Sequence, residues 1–222
     1  MSMIVKMAAL DWRAMKVYQI RGLLLPAIAF ALGMFYSPIV IMPVCVIFCS
    51  NFASNTFAVE DKGDLNNFYL TLPLKRNTVV AGRYFLSLII LLCGVAVGVL
   101  ALLITNPISL SLSKWYIGLK GHIAIIALSY LMYALLEVFR YPVLFRLGYT
   151  KGRFWGIMFP AIFGGLLMGV YFAVASTSAL INFIVFASEN IFLVIGGMAI
   201  LATGLLAVSY FVSVRLYSKR DF

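Results

Sequence analysis

The chain has 222 residues, 64% of them hydrophobic and 11% charged, whereas a soluble domain carries about a quarter charged residues. That composition excludes a soluble globular domain and indicates an integral membrane protein, with room for about six helices of roughly 20 residues each. The net charge of +10 does not indicate a nucleic-acid binder, because the bases punctuate apolar runs instead of gathering on one face.

Residues 2–20 place Met3, Met7, Leu10, Ala14 and Val17 along one helical face, with Lys6, Arg13 and Lys16 largely elsewhere. This pattern fits either an amphipathic helix lying in the cytoplasmic interface or an extension of the first span. The small residues of "AIAFA" at 27–31 imitate a cleavage site. The long preceding segment with Asp11, and an apolar run continuing to a second span, argue against a cleaved signal.

Gly22 to Val59 contains no charge and is too long for one helix. Pro38 divides it, predicting spans near 20–36 and 39–59. A third span near 79–104 is expected to end at Asn106-Pro107. Further spans are expected near 121–141, 155–176 and 190–214. Residues 105–119 carry Trp115 and Tyr116, a pair suited to the membrane–water boundary. Residues 177–189 are apolar but too short to span, which fits either a re-entrant segment or an extension of the last helix.

Fifteen of the 17 basic residues fall on one side of this scheme. They are Lys6, Arg13, Lys16 and Arg21 before the first span; Lys62, Lys75, Arg76 and Arg83 after the second; Arg140, Arg146, Lys151 and Arg153 after the fourth; and Arg215, Lys219 and Arg220 at the end. Lys114 and Lys120 lie on the other side. The positive-inside rule makes the basic side cytoplasmic, with both termini there and an even span count.

The stretch "DLNNFYLTLPLKRNTVV" at 64–80 breaks this apolar pattern. Asp64 is placed to cap a helix. Leu65, Phe68, Tyr69 and Leu72 follow at helical spacing, and Pro73 stops the run. A helix of about two turns is not stable alone in water, so its apolar stripe needs a surface. That surface is either the bilayer or a cytoplasmic protein, and Lys75 and Arg76 could meet lipid headgroups or an acidic partner.

Residues 55–85, "NTFAVEDKGDLNNFYLTLPLKRNTVVAGRYF", resemble the signature segment of small bacterial ABC-2 type transporter permeases. The matching features are Glu60 at the end of the second span, the helix 64–72, "TLPLKR" at 71–76, Val79-Val80 and Arg83-Tyr84. Leu74-Lys75 departs from the more usual Val-Ser. "LDWRAMK" at 10–16 and "YSKRDF" at 217–222 resemble that family's charged opening and basic ending. The resemblance implies that 64–72 is a coupling helix seated in a groove of an ATP-binding subunit. Glu60, Asp61, Asp64, Leu65, Phe68, Tyr69, Leu72, Pro73, Lys75 and Arg76 would form that coupling element. It also implies two ATPase copies holding ATP and magnesium, and a second permease forming a homodimer or a related heterodimer. The second and fifth spans would bound the path. Within the family the small size and basic loops look most like exporters of phenol-soluble modulins and of bacteriocins. A non-transporting scaffold or immunity protein, or an exporter of lipid or drug-like molecules, is the alternative.

No Gly-Lys dipeptide occurs, hence no P-loop, and no cofactor is expected in this chain. Cys45, Cys49 and Cys93 lie in apolar stretches and read as packing residues. His122 stands alone, and no catalytic or metal constellation emerges. Ser50, Asn51, Ser54 and Asn55 line one side of the second span, either at the mouth of a translocation path or as interhelical glue. Glu137 and Arg140, three apart, can pair with each other, with a neighbouring helix or with the ATPase. Gly94 and Gly98, and Gly165 and Gly169, have the spacing of close helix contacts.

Overall fold

The computed structural model describes residues 3–16, 22, 24–35, 38–62, 76–111, 118–174, 186–187 and 189–219. Among these residues the structure is helical, without strands. The helices are α1 (Met3–Ala14), α2 (Leu24–Phe35), α3 (Pro38–Ala53), α4 (Asn55–Lys62), α5 (Arg76–Ser111), α6 (Leu119–Val174) and α7 (Ile191–Ser218). Among the described residues four apolar stretches are long enough to cross a membrane: Val40–Asp61, Arg76–Thr105, Leu119–Met158 and Ile191–Ser218.

Of the expected first span the structure describes the 12-residue α2. That is about 18 Å of helix by itself. Pro38 opens α3 as its fixed φ requires. A turn at Ser54 then separates α3 from α4, because the Ser54 hydroxyl bonds back to the Ser50 carbonyl at 2.9 Å.

The third apolar span closes at Thr105, next to Asn106-Pro107, but the helix itself does not stop there. Helix α5 runs through Pro107 to Ser111. Proline there forfeits one backbone bond, which is cheaper than exposing a whole unwound turn to lipid. With 36 residues α5 is about 54 Å long, well over the thickness of a hydrocarbon core of about 30 Å.

The loop expected between the fourth and fifth spans is also absent. Arg140, Arg146, Lys151 and Arg153 all lie in α6, which is interrupted only at Gly148, with φ 74° and ψ −179°. The chain reverses there. A side chain on Gly152 would meet the Val143 carbonyl oxygen and the Leu144 side chain at 3.3 Å, and one on Gly156 would meet Arg140 Cγ at 3.4 Å. The two arms of α6 are therefore an antiparallel hairpin, and its paired positions are symmetric about Gly148. Residues 112–117 and most of 177–189 lie outside the described residues.

Helix α5 sits at the centre and touches α1, α2, α3 and α7. In lipid, apolar surface does not drive helices together; close packing and polar bonds do. Gly94 and Gly98 supply the packing, since a side chain at either would overlap Cys49 Sγ or Met42 Sδ of α3. Their spacing serves a contact within the chain. Gly165 has open space around it. Met7 of α1 fills the groove over Gly82, 2.7 Å from where a side-chain carbon would stand. The buried face of α1 thus lies on α5, while Met3, Ile4 and Trp12 are exposed.

Position 148 is in backbone space open in practice to glycine alone. Gly148→Ala is expected to destabilise the protein by about 1–3 kcal/mol, read as a lowered thermal unfolding midpoint in detergent. Gly118→Ala, where nothing stands within 4 Å, should change nothing; equal midpoints for the two variants would refute the hairpin strain.

Candidate functional site

Two buried polar assemblies hold the helices together. The first is built on Arg83, in the first turns of α5. Its side chain has no exposed surface, and Nη1 lies 2.6 Å from Glu60 Oε2 of α4. Its Nε lies 3.6 Å from Asp11 Oδ2 of α1. The guanidinium also stacks over Phe57, 4.5 Å from the ring centroid, with Phe145 at 5.6 Å. Those rings meet edge to face at 4.8 Å. A charge buried this far must be paired, and the planar fork of arginine can address two carboxylates at once.

The neighbours of Glu60 in sequence are tied down as well. Asp61 Oδ2 accepts bonds from the Thr150 backbone N–H at 2.8 Å and the Thr150 hydroxyl at 3.0 Å. Thr150 begins the second arm of α6, so Asp61 caps a helix N-terminus from another element, where a carboxylate is favoured. On the far side of residues 63–75, Arg76 Nη1 donates to the Ser218 carbonyl at 2.7 Å and the Tyr217 carbonyl at 3.4 Å. These are the last carbonyls of α7, beyond the reach of its regular i to i+4 bonds.

Glu60, Asp61 and Arg76 thus anchor the two ends of the interrupted stretch to α1, α5, α6 and α7. Asp64, Leu65, Phe68, Tyr69, Leu72, Pro73 and Lys75 lie outside the described residues.

The second assembly joins α3 to α6 and α7. Glu137 and Arg140 form no ion pair within 4.0 Å; the Ser50 hydroxyl stands between them. It donates to Glu137 Oε1 at 2.7 Å and accepts from Arg140 Nη1 at 2.8 Å. Arg140 reaches Ser54 Oγ at 3.5 Å. Ser209 of α7 donates to the Glu137 carbonyl at 3.1 Å and lies 2.6 Å from the Tyr84 hydroxyl. Tyr84 also meets Ser213 at 2.9 Å, and Ser87 bonds Tyr133.

Of the four polar residues on the second span, Ser50 and Ser54 act as glue between helices. Asn51 is exposed and bonds Ile47 of its own helix at 2.9 Å. Asn55 is half-buried beside it.

Sequence reasoning missed the roles of Asp11, Thr150 and Ser209. Asp11 had a detectable signal, an acid on the apolar side of an amphipathic helix; Thr150 and Ser209 had none.

Removing Arg83 strands two buried carboxylates. Arg83→Met is expected to lower stability by about 3–5 kcal/mol, measured by chemical or thermal unfolding in detergent. Adding Glu60→Gln and Asp11→Asn to it should recover much of that loss. A triple variant no better than Arg83→Met would show that the three do not act as one ionic unit.

The family model described as ABC-2 family transporter protein matches residues 2–218. No curated protein and no solved structure matches the chain. The match covers nearly the whole sequence, including every apolar helix and the anchored stretch between α4 and α5. The chain therefore belongs to the ABC-2 transporter family, whose members are the membrane permease components of ABC transporters.

Proposed function

We propose that this chain is one permease half of an ATP-driven exporter, moved by a separate ATPase that docks on residues 64–72. Two permeases, identical or related, and two ATPases would form the working unit, with ATP and magnesium bound by the ATPases. The single observation that supports this reading is the anchoring at both ends of residues 63–75. A push on that segment would reach α1 through Arg83 and Asp11, the second arm of α6 through Asp61 and Thr150, and α7 through Arg76. An idle surface loop has no need of three such attachments.

Six spans follow if α2 belongs to a first span and the two arms of α6 are counted separately. Both termini then share the basic, cytoplasmic side of a bacterial plasma membrane. The cargo would be an amphipathic peptide or another membrane-active molecule. An apolar groove of about 1190 Å³ between α1, α2, α3 and α5, walled by residues such as Trp12, Phe52 and Phe85, suits such a cargo. Binding there would rest on apolar area more than on ion pairs.

Co-purification with the cognate ATPase tests the docking. Phe68→Asp is expected to abolish it, because a charge on the apolar stripe cannot be buried in a partner's groove without a counter-ion. Survival of the complex in Leu65→Asp/Phe68→Asp would rule out docking through this stretch.

A further inference from the structure

A second, smaller cavity of about 270 Å³ opens between α3 and the hairpin of α6. Arg140, Arg153, Asn51, Ser54, Asn55 and Tyr149 line its polar side, and no carboxylate is among the described residues that line it. Arg140 is buried and fixed by Ser50 and Ser54. Arg153 is exposed, with its guanidinium 5.8 Å from the Tyr149 ring centroid. Glu137 lies behind Ser50 and is committed to it, and Asp61 is committed to Thr150, next to Tyr149. The remaining wall is apolar, with Phe52 and Ile157 facing the same space.

We propose that this cup binds the oxyanion of an amphiphile, a phosphate or a carboxylate, with its alkyl chain lying along the apolar wall. Two guanidinium groups, with amide N–H donors of Asn51 and Asn55 beside them, can donate to such a group. Arginine presents paired donors that match a phosphate or carboxylate fork. The Ser50 and Ser54 bonds pre-orient Arg140, so no side-chain order is lost there on binding. Arg153 is free to close over the ligand from outside. The hairpin creates this arrangement: the reversal at Gly148 brings Arg140 and Arg153, one on each arm, to a single cavity. Two sources can supply the anion, a phospholipid headgroup of the surrounding bilayer or the anionic end of the exported molecule.

The test uses the full chain alone in a neutral maltoside detergent, with dodecyl phosphate, dodecanoate and dodecanol as probes, and bound ligand counted by native mass spectrometry. No ATPase is present, so the outcome is separate from that of docking at 64–72. Both anions, or the phosphate alone, should bind in preference to dodecanol. Arg153→Ala should weaken binding about tenfold, the usual weight of a charge-assisted bond in a shielded site, while Arg153→Lys retains part of it. Arg146→Ala, an exposed base that does not line the cup, should bind as the unaltered chain does. Binding of dodecyl phosphate alone assigns the cup to a headgroup; equal binding of dodecanoate assigns it to carboxylate-ended amphiphiles, cargo included. Dodecanol binding as well as the anions, or Arg153→Ala binding as the unaltered chain does, overturns the proposal. So does an equal loss in Arg146→Ala.

Discussion

A guanidinium with no exposed surface has to be neutralised where it stands. Arg83 meets that constraint by drawing a carboxylate from each of two other helices, α1 and α4, onto the start of α5. Burial of such ions is not a source of stability in itself, because desolvation cancels much of the attraction. Its value is geometric. Apolar side chains in a membrane protein can slide against one another at small cost, while a buried ion pair has one low-energy arrangement. Met7, Phe57, Val80, Tyr84, Tyr141 and Phe145 then pack around this fixed point as one apolar cluster.

The second polar assembly follows the same logic further along the bundle. Ser50 is the bridge by which α3 holds both charged groups of α6, and Ser209 carries the connection to α7. Beyond the second assembly α5 and α3 meet through small residues, at Gly94 and Gly98. The outer faces of α5 and α7, with Leu92, Leu103 and Phe211, remain exposed for lipid. The chain thus combines rigid polar pins with an apolar exterior that moves easily in a bilayer.

The contacts of Glu60, Asp61 and Arg76 tie several elements to the two points that flank residues 63–75. Glu60 and Asp61 stand one residue apart yet hold different elements: Glu60 serves α5, and Asp61 serves the second arm of α6. Arg76 holds the end of α7. Residues far apart in sequence are thereby joined at one end of the molecule, which is also the end richest in basic side chains.

The sequence by itself determined the membrane class, the all-helical architecture and the approximate places of the long apolar helices that the structure describes. These depend on composition and on local periodicity, which a helix in lipid must obey because every backbone bond has to be made within it. It also singled out Glu60 through the family resemblance, and Glu137 with Arg140 through their spacing. Only the tertiary structure decided their partners. Asp11 joins Arg83 across 72 positions of chain, Ser50 separates Glu137 from Arg140 across 87, and Arg76 reaches Ser218 across 142. Nothing local encodes such pairings, since they follow from which faces meet once the helices pack. The reversal at Gly148 is the same kind of case: glycine permits the turn, but only the contacts of the two arms require it.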